Sequence, residues 1–291
     1  ANKGHFAIVE QSADLDLMQA LRESETCVTF EPPWRSSQAV QSMLDDLMPL
    51  LEKRHFSILV PAHNEERELE ATLLALLAQD YPVDRFEILV IENGSSDRTP
   101  AIATTIAERP ECQGRIRLLK SPRGVSRAKN SGLEALSASS DWVVICDADT
   151  RLAPGFLREF NTWLHRQSER VCIATTAVRP QAPGDTHYAR FWFRAYDWIH
   201  RMTQTSFAIQ LVDAKLARRI RFDEGLAFAE DLQFIRDCQR EGRFAFMQTT
   251  AVTTSTRRFR RNGYLRQGLR WSVQALLPMS QKRKRDYDVV R

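Results

Sequence analysis

Two carboxylates one residue apart, Asp147 and Asp149, close the stretch DWVVICDADT. Val143 to Cys146 is a short apolar run bounded by turn-forming residues, which reads as a buried strand. Charge at the edge of a core is costly unless something compensates it. At a strand end both carboxylates can face one crevice. Hard oxygen ligands of this kind suit Mg²⁺ or Mn²⁺, which take few protein carboxylates and complete their shell with phosphate or water. On the residues alone a turn or helix-cap role is an equal reading, because Asp is common there. A second acidic pair, Glu230 and Asp231, opens a helical pattern in which Leu232, Ile235 and Cys238 recur. Acidic residues are favourable in a first helical turn. Facing a crevice, one of them can instead act as general base toward a hydroxyl.

Smaller signals surround these pairs. VPAHNEE places Pro61, Asn64 and Glu65 where they can line a base or ribose, and Asn64 also suits a helix N-cap. VIENGSSDRT offers Glu92 and Asn93 to a base or sugar edge, against the plainer reading of an Asn-Gly turn. In SPRGVSRAKNSG, Arg123 and Arg127 can hold phosphate or lie on a solvated helix face, while Gly124 and Gly132 permit close packing. Arg257 and Arg258 follow a predicted strand and can reach a diphosphate or an anionic acceptor.

The elements that must position these residues alternate regularly from Phe56 onward. FSILVPA, RFEILVIENG, GRIRLLKS and the opening stretch read as strands. Between them lie three helices: one beginning at Asn64, one with Thr99 as N-cap and Pro100 at the first helical position, and one starting near Ser126. This β-α-β-α-β-α-β order predicts an α/β, doubly wound, mostly parallel sheet flanked by helices. Ligands of such sheets bind at the carboxyl ends of the strands, where Asn64, Glu92, Arg123 and Asp147 all fall.

The chain has 291 residues, 43% hydrophobic and 27% charged, with a net charge of only +4. That composition suits a globular core and does not call for nucleic acid as a partner. Five cysteines, Cys27, Cys112, Cys146, Cys172 and Cys238, are odd in number and lack a CxxC pair. They argue against a disulfide framework or zinc site and fit a reducing compartment. No signal peptide is visible, and the apolar stretch Ala71 to Ala78 is far below the ~18 residues that span a bilayer. The expectation is a cytoplasmic chain, with a peripheral contact to an anionic membrane face through the basic QKRKR tail. The aromatic stretch Tyr188 to Trp198 fits that contact, although a helix packed on the sheet is the weightier reading.

Taken in order, FSILVPAHNEE, ILVIENGSSDRT, GVSRAKNSGLEAL, VVICDADT, FDEGL and AEDLQFIRDCQREGR resemble an inverting family 2 glycosyltransferase of GT-A fold, over about residues 55–250. The resemblance implies a nucleotide-diphosphate sugar donor, with a UDP-sugar favoured, and Mg²⁺ or Mn²⁺. It implies Asp149 as main metal ligand, Asp147 on the ribose or metal, Glu92 at the base, and Asp231, beside Glu230, as general base. TSFAIQ stands where such enzymes carry a loop lining the acceptor pocket. Gln267, Arg270 and Trp271 form a Q-x-x-R-W similar to that of processive members, where the tryptophan packs on the acceptor sugar. The organisation expected is an extension (1–54), a nucleotide-sugar half (55–150), an acceptor half (151–255) and a basic helical tail (256–291). Non-processive transfer to a saccharide or lipid-linked glycan is the leading reading. A degenerate nucleotide-sugar-binding scaffold and a processive synthase domain are the alternatives.

Overall fold

A computed structural model describes residues 52–112, 114–226 and 228–269. Cys27, Arg270, Trp271, the QKRKR tail and nearly all of the expected N-terminal extension lie outside the described residues.

The four expected strands form, as β1 (Phe56–Ala62), β2 (Phe86–Glu92), β3 (Ile116–Lys120) and β4 (Trp142–Cys146). The mostly apolar, buried runs of β1, β2 and β4 are those of strands covered on both faces, whereas β3 is a largely exposed edge strand. Three further strands, β6 (Val171–Thr176), β8 (Ile209–Asp213) and β9 (Arg243–Met247), complete a sheet ordered β3-β2-β1-β4-β8-β6-β9. All neighbours are parallel except at β8, which runs against both β4 and β6. The register aligns the strand ends: Ala62 pairs with Glu92, and Glu92 with Lys120. The loops after β1, β2 and β3 therefore leave from one edge. Because β8 is reversed, its first residues lie at that same edge, Ile209 opposite Cys146 and Gln210 opposite Ile145. A small second sheet, β5 (Thr150–Leu152), β10 (Val252–Thr254) and β7 (Arg179–Pro180), sits just beyond Asp149.

The helices are α1 (Leu69–Leu77), α2 (Thr99–Ala107), α3 (Val125–Glu134), α4 (Phe156–His165), α5 (His187–Thr203), α6 (Ala214–Ala217), α7 (Glu230–Cys238) and α8 (Arg257–Asn262). Two starts differ from expectation. The first helix begins at Leu69, because Asn64 adopts φ 56° and cannot serve as its N-cap. Thr99 is itself the first residue of α2, with Pro100 after it, and Asp97 Oδ1 accepts from the Thr99 amide at 2.9 Å just before the helix. The third helix stops at Glu134, short of the polar SASS segment.

One core face packs Phe56, Trp142, Phe156 and Phe160, and the other packs Leu59, Phe222, Phe234 and Ile235. On the second face Gly132 of α3 meets β1 so closely that a Cβ there would stand 2.7 Å from Leu59 Cδ2. The role expected of Gly132 in close packing is thus visible. Helix α5 buries Ala189, Phe193 and Tyr196, while Phe191, Trp198 and Met202 point outward at 64–65% exposure. The reading of the aromatic stretch as a helix packed on the core therefore holds for its inner face. Cys112, Cys146, Cys172 and Cys238 are buried free thiols. Among the described residues no helix is long and apolar enough to cross a membrane.

Candidate active site

The aligned strand ends gather the acidic and basic residues into one crevice. β4 ends at Cys146, and a turn closed by the Thr150 amide on the Asp147 carbonyl, at 2.9 Å, carries Asp147 and Asp149. The Asp149 carbonyl is clamped by the Ser255 amide at 3.1 Å and Gln181 Nε2 at 3.0 Å. The small second sheet thus fixes the turn from outside. The Asp149 carboxylate is partnered as well: Arg257 Nη2 lies 3.1 Å from its Oδ2 and 2.6 Å from Glu65 Oε2. Burial, then the Asp149 charge, push the Glu65 carboxyl up to about 7 in spite of Arg257. Asp147 is also pushed up, by loss of water in the crevice and then by Asp149, although its side chain reaches solvent at the mouth. Arg258 and Lys129 act on it in the opposite direction.

Asp231 and Glu230 enter from α7, whose preceding residue Ala229 holds φ 62°. Both meet Lys129 of α3: Nζ is 3.2 Å from Glu230 Oε1 and 2.5 Å from Asp231 Oδ1. Burial opposes the charge on Lys129, but Asp231, Glu230 and Asp147 outweigh it and raise its pKa. Burial and then Asp231 push Glu230 up, against the pull of Lys129. A small cavity is lined by Lys129, Asp147 and Asp231 together with Ser206, Ala208 and Gln210. The TSFAIQ segment thus faces the carboxylates. Gln210 Nε2 donates to Ser206 Oγ at 2.8 Å, and its buried Oε1 has no partner among the described residues. Three non-glycine residues with positive φ, Asn64, Ala208 and Ala229, adjoin this crevice, and such strained backbone persists where the surroundings fix it.

The other expected residues divide. Asn64 stitches the loops after β1 and β2 together, accepting from the Ser96 amide at 2.8 Å. Glu92 Oε1 accepts from the Ser95 amide at 2.5 Å, so it holds its own turn, and Asn93 Oδ1 accepts from the Gly124 amide at 2.8 Å. Pro61 lies within β1 beside Ile91. Arg123 is exposed, and Arg127 lies 3.5 Å from Glu224, which ties it to the FDEGL segment. Gln267 is buried and accepts from Asn262 Nδ2 at 2.8 Å, with its two motif partners outside the described residues. Sequence reasoning missed Lys129, Gln210 and Glu65 as a partner of Arg257. Lys129 could have been found, because Ser126, Lys129 and Leu133 fall on one buried stripe of α3.

The donor set bears on a metal. Among the described residues no three His, Cys, Asp or Glu side chains lie close enough to hold an ion alone. Asp149 and Asp147 offer only hard oxygens, which suits Mg²⁺ or Mn²⁺ with the remaining positions filled by phosphate or water.

Known proteins resemble this arrangement. Over 127 residues the chain is 35% identical to a Bacillus subtilis protein described as a probable glycosyltransferase, YdaM, covering 42% of this chain and 27% of that protein. It is 30% identical over 103 residues to the beta-monoglucosyldiacylglycerol synthase of Synechocystis, covering 35% of this chain and 21% of that one. The chain thus spans about a quarter of the length of these relatives. The fold matches Staphylococcus aureus TarS 1–349, solved with UDP-GlcNAc, with a TM-score of 0.55 at 17% identity over 69% of this chain and 58% of that one. It also matches the mannosyltransferase PcManGT of Pyrobaculum calidifontis, solved with GDP-Man and Mn²⁺, with a TM-score of 0.54 at 19% identity over 81% of this chain and 74% of that one. The model of glycosyl transferase family 2 matches residues 57–225, which run from β1 through Asp147, Asp149 and the 205–210 segment to the FDEGL segment and stop short of Glu230 and Asp231. Because that match covers more than half of its length, the chain belongs to glycosyl transferase family 2.

Proposed function

We propose that the protein is a metal-dependent, inverting, non-processive glycosyltransferase. It moves a sugar from a nucleotide-diphosphate sugar, a UDP-sugar being favoured, to a hydroxyl of a saccharide or lipid-linked glycan. The observation that carries this reading is the convergence of Asp147, Asp231 and the 205–210 segment on one cavity, with Asp149 beside them. The donors recorded for TarS and PcManGT favour the same class of substrate.

Each group has work to do in that reaction. Asp149, with Asp147, would hold the cation, which when bound neutralises charge on the departing diphosphate. Arg257 and Arg258 face the phosphates as fixed cations. Pro61, Asn64, Glu92 and Asn93 line the nucleoside end, and Arg123 and Arg127 its approach. Asp231 takes the proton from the acceptor hydroxyl. The donor end belongs to residues 55–150 and the acceptor end to 151–255, with Gln267, Arg270 and Trp271 contributing to the acceptor side. The outward face of α5, with Phe191, Trp198 and Met202 beside the exposed Arg194 and Arg201, suits a peripheral anionic membrane contact. Co-sedimentation with anionic but not neutral vesicles tests that contact.

A thermal-shift panel of UDP- and GDP-sugars, with and without Mn²⁺, tests the donor, since a ligand stabilises the state it binds. Asp149→Ala and Asp231→Asn should each abolish transfer. Full transfer by either variant would remove the role given to that residue, and donor binding without turnover on a broad acceptor panel would favour the scaffold reading.

A further inference from the structure

Lys129 is a buried cation with two carboxylates, and the two are not equivalent. The side chain of Glu230 is 12% exposed, and that of Asp231 is 41% exposed. Asp231 receives Lys129 Nζ on Oδ1 at 2.5 Å, while its Oδ2 accepts no bond among the described residues. Lys129 is itself held from the other side, with Nζ 4.9 Å from the centre of the Phe222 ring. Phe222 is anchored in turn by Asn130, the next residue of α3: Nδ2 donates to the Phe222 carbonyl at 3.0 Å, and Oδ1 accepts from the Phe222 amide at 2.9 Å. The ammonium therefore has a fixed place between α3, the FDEGL segment and the first turn of α7.

From this geometry we propose that Lys129 is a positioning residue that orients Asp231, and that Glu230 is the standing counter-charge of Lys129 and not a second base. The inference rests on the reading of Asp231 as the proton acceptor. Lys129 engages Oδ1 and leaves Oδ2 free, among the described residues, on a side chain that lines the cavity with Asp147 and the 206–210 segment. In the transfer step the acceptor O–H bond breaks and an Oδ2–H bond forms. The freed oxygen pair bonds the anomeric carbon, whose bond to the phosphate oxygen breaks with its electrons leaving on the diphosphate. Asp231 is then neutral. A buried ammonium that lost its only carboxylate at that moment would be left uncompensated, which is strongly unfavourable. Glu230 keeps Lys129 paired while Asp231 holds the proton. Two carboxylates on one lysine are what a base that must change charge beside a buried cation requires.

The test uses the full chain and the nucleotide-sugar, from a panel of UDP-glucose, UDP-GlcNAc and GDP-mannose with Mn²⁺, that is turned over. Lys129→Met should lower kcat by about 100-fold, the scale of a mis-set general base, with the donor KM and the affinity for UDP within about twofold. Lys129→Arg should regain about tenfold of the loss. Glu230→Gln should cost about tenfold in kcat, far less than Asp231→Asn. Adding Glu230→Gln to Lys129→Met should restore the thermal midpoint, by removing the unpaired carboxylate, without restoring kcat. That split distinguishes positioning from support of the fold, and if Lys129→Met does not fold, the double variant and Lys129→Arg carry the test. Lys129→Met at near wild-type kcat, Glu230→Gln as inactive as Asp231→Asn, or recovery of kcat in the double variant would each overturn the proposal. An active Asp231→Asn variant, or no turnover of any donor, would instead overturn the functional reading beneath it.

Discussion

Arg257 is bonded to Asp149, with Nη2 3.1 Å from Oδ2. The carboxylate proposed to take a divalent cation is already neutralised by an arginine whose side chain is only 18% exposed. In the absence of nucleotide an incoming ion must compete with that guanidinium. Arg257→Gln should therefore bind Mn²⁺ about tenfold more tightly than wild type when no nucleotide is present, a change of about 1.4 kcal/mol. Mn²⁺ titration by calorimetry or electron paramagnetic resonance reads this directly. Weaker Mn²⁺ binding by the variant would mean that Arg257 organises the site and does not compete for it.

Asn130 makes two buried bonds to the backbone of Phe222, and its Nδ2 also reaches Glu224 Oε1 at 2.9 Å. This joins the NSGLEAL and FDEGL segments across 92 residues of sequence. Asn130→Ala leaves a buried amide and carbonyl unpaired, which should cost about 2–3 kcal/mol of stability in urea unfolding. A loss below about 0.5 kcal/mol, the scale of an ordinary surface change, would show that water replaces the side chain.

His200 gives the protein an acid sensitivity of known sign. Burial lowers its pKa from 6.5 to about 4, its Nδ1 lies 2.6 Å from Thr205 Oγ1, and its ring stacks on Phe207 at 9°. The folded protein therefore keeps it neutral where the unfolded chain takes up a proton. Stability is fully present above pH 6.5 and falls as the pH drops from there toward 4. The full effect is about 3 kcal/mol. His200→Gln should flatten the thermal midpoint over that interval, and parallel pH profiles for the two proteins would rule His200 out. Since His200 supports Thr205, at the start of the segment lining the cavity, transfer should decline with the same pH dependence.

Gln210 offers the cavity a buried acceptor atom without a partner. Such an atom is costly unless a ligand completes it. Gln210→Ala should raise the acceptor KM about tenfold, one lost hydrogen bond's worth, and leave the donor KM nearly unchanged. Separate saturation curves decide the matter: a raised donor KM with an unchanged acceptor KM would place Gln210 on the other substrate.

The parallel strands were legible in the sequence because strands covered on both faces are nearly continuous apolar runs, as ILV of β1, ILVI of β2 and WVVIC of β4 are. The Asp147–Asp149 pair was legible because carboxylates rarely end such runs. The antiparallel β8 was not legible, since IQLVD is buried like its neighbours and direction leaves no trace in composition. The second sheet was invisible for another reason: strands of two or three residues, such as Arg179–Pro180 and Val252–Thr254, carry no periodicity. Asn64 was misassigned as a cap because Asn suits both a helix start and a left-handed turn. Lys129 was passed over because lysine is almost never fully buried unless paired, and its partners lie 101 and 102 positions away.

The joint beyond Asp149 also has a consequence in time. Thr150 and Thr254 bond hydroxyl to hydroxyl in the interior at 2.8 Å, and Arg257 reaches back 192 residues to Glu65. A chain emerging from the ribosome at about 5–20 residues per second has its Asp147–Asp149 turn exposed well before residues 252–257 exist to clamp it. The crevice is therefore among the last parts of the molecule to mature. A nascent chain halted near residue 240 would carry the acidic groups of the site and still lack Ser255 and Arg257, which hold Asp149.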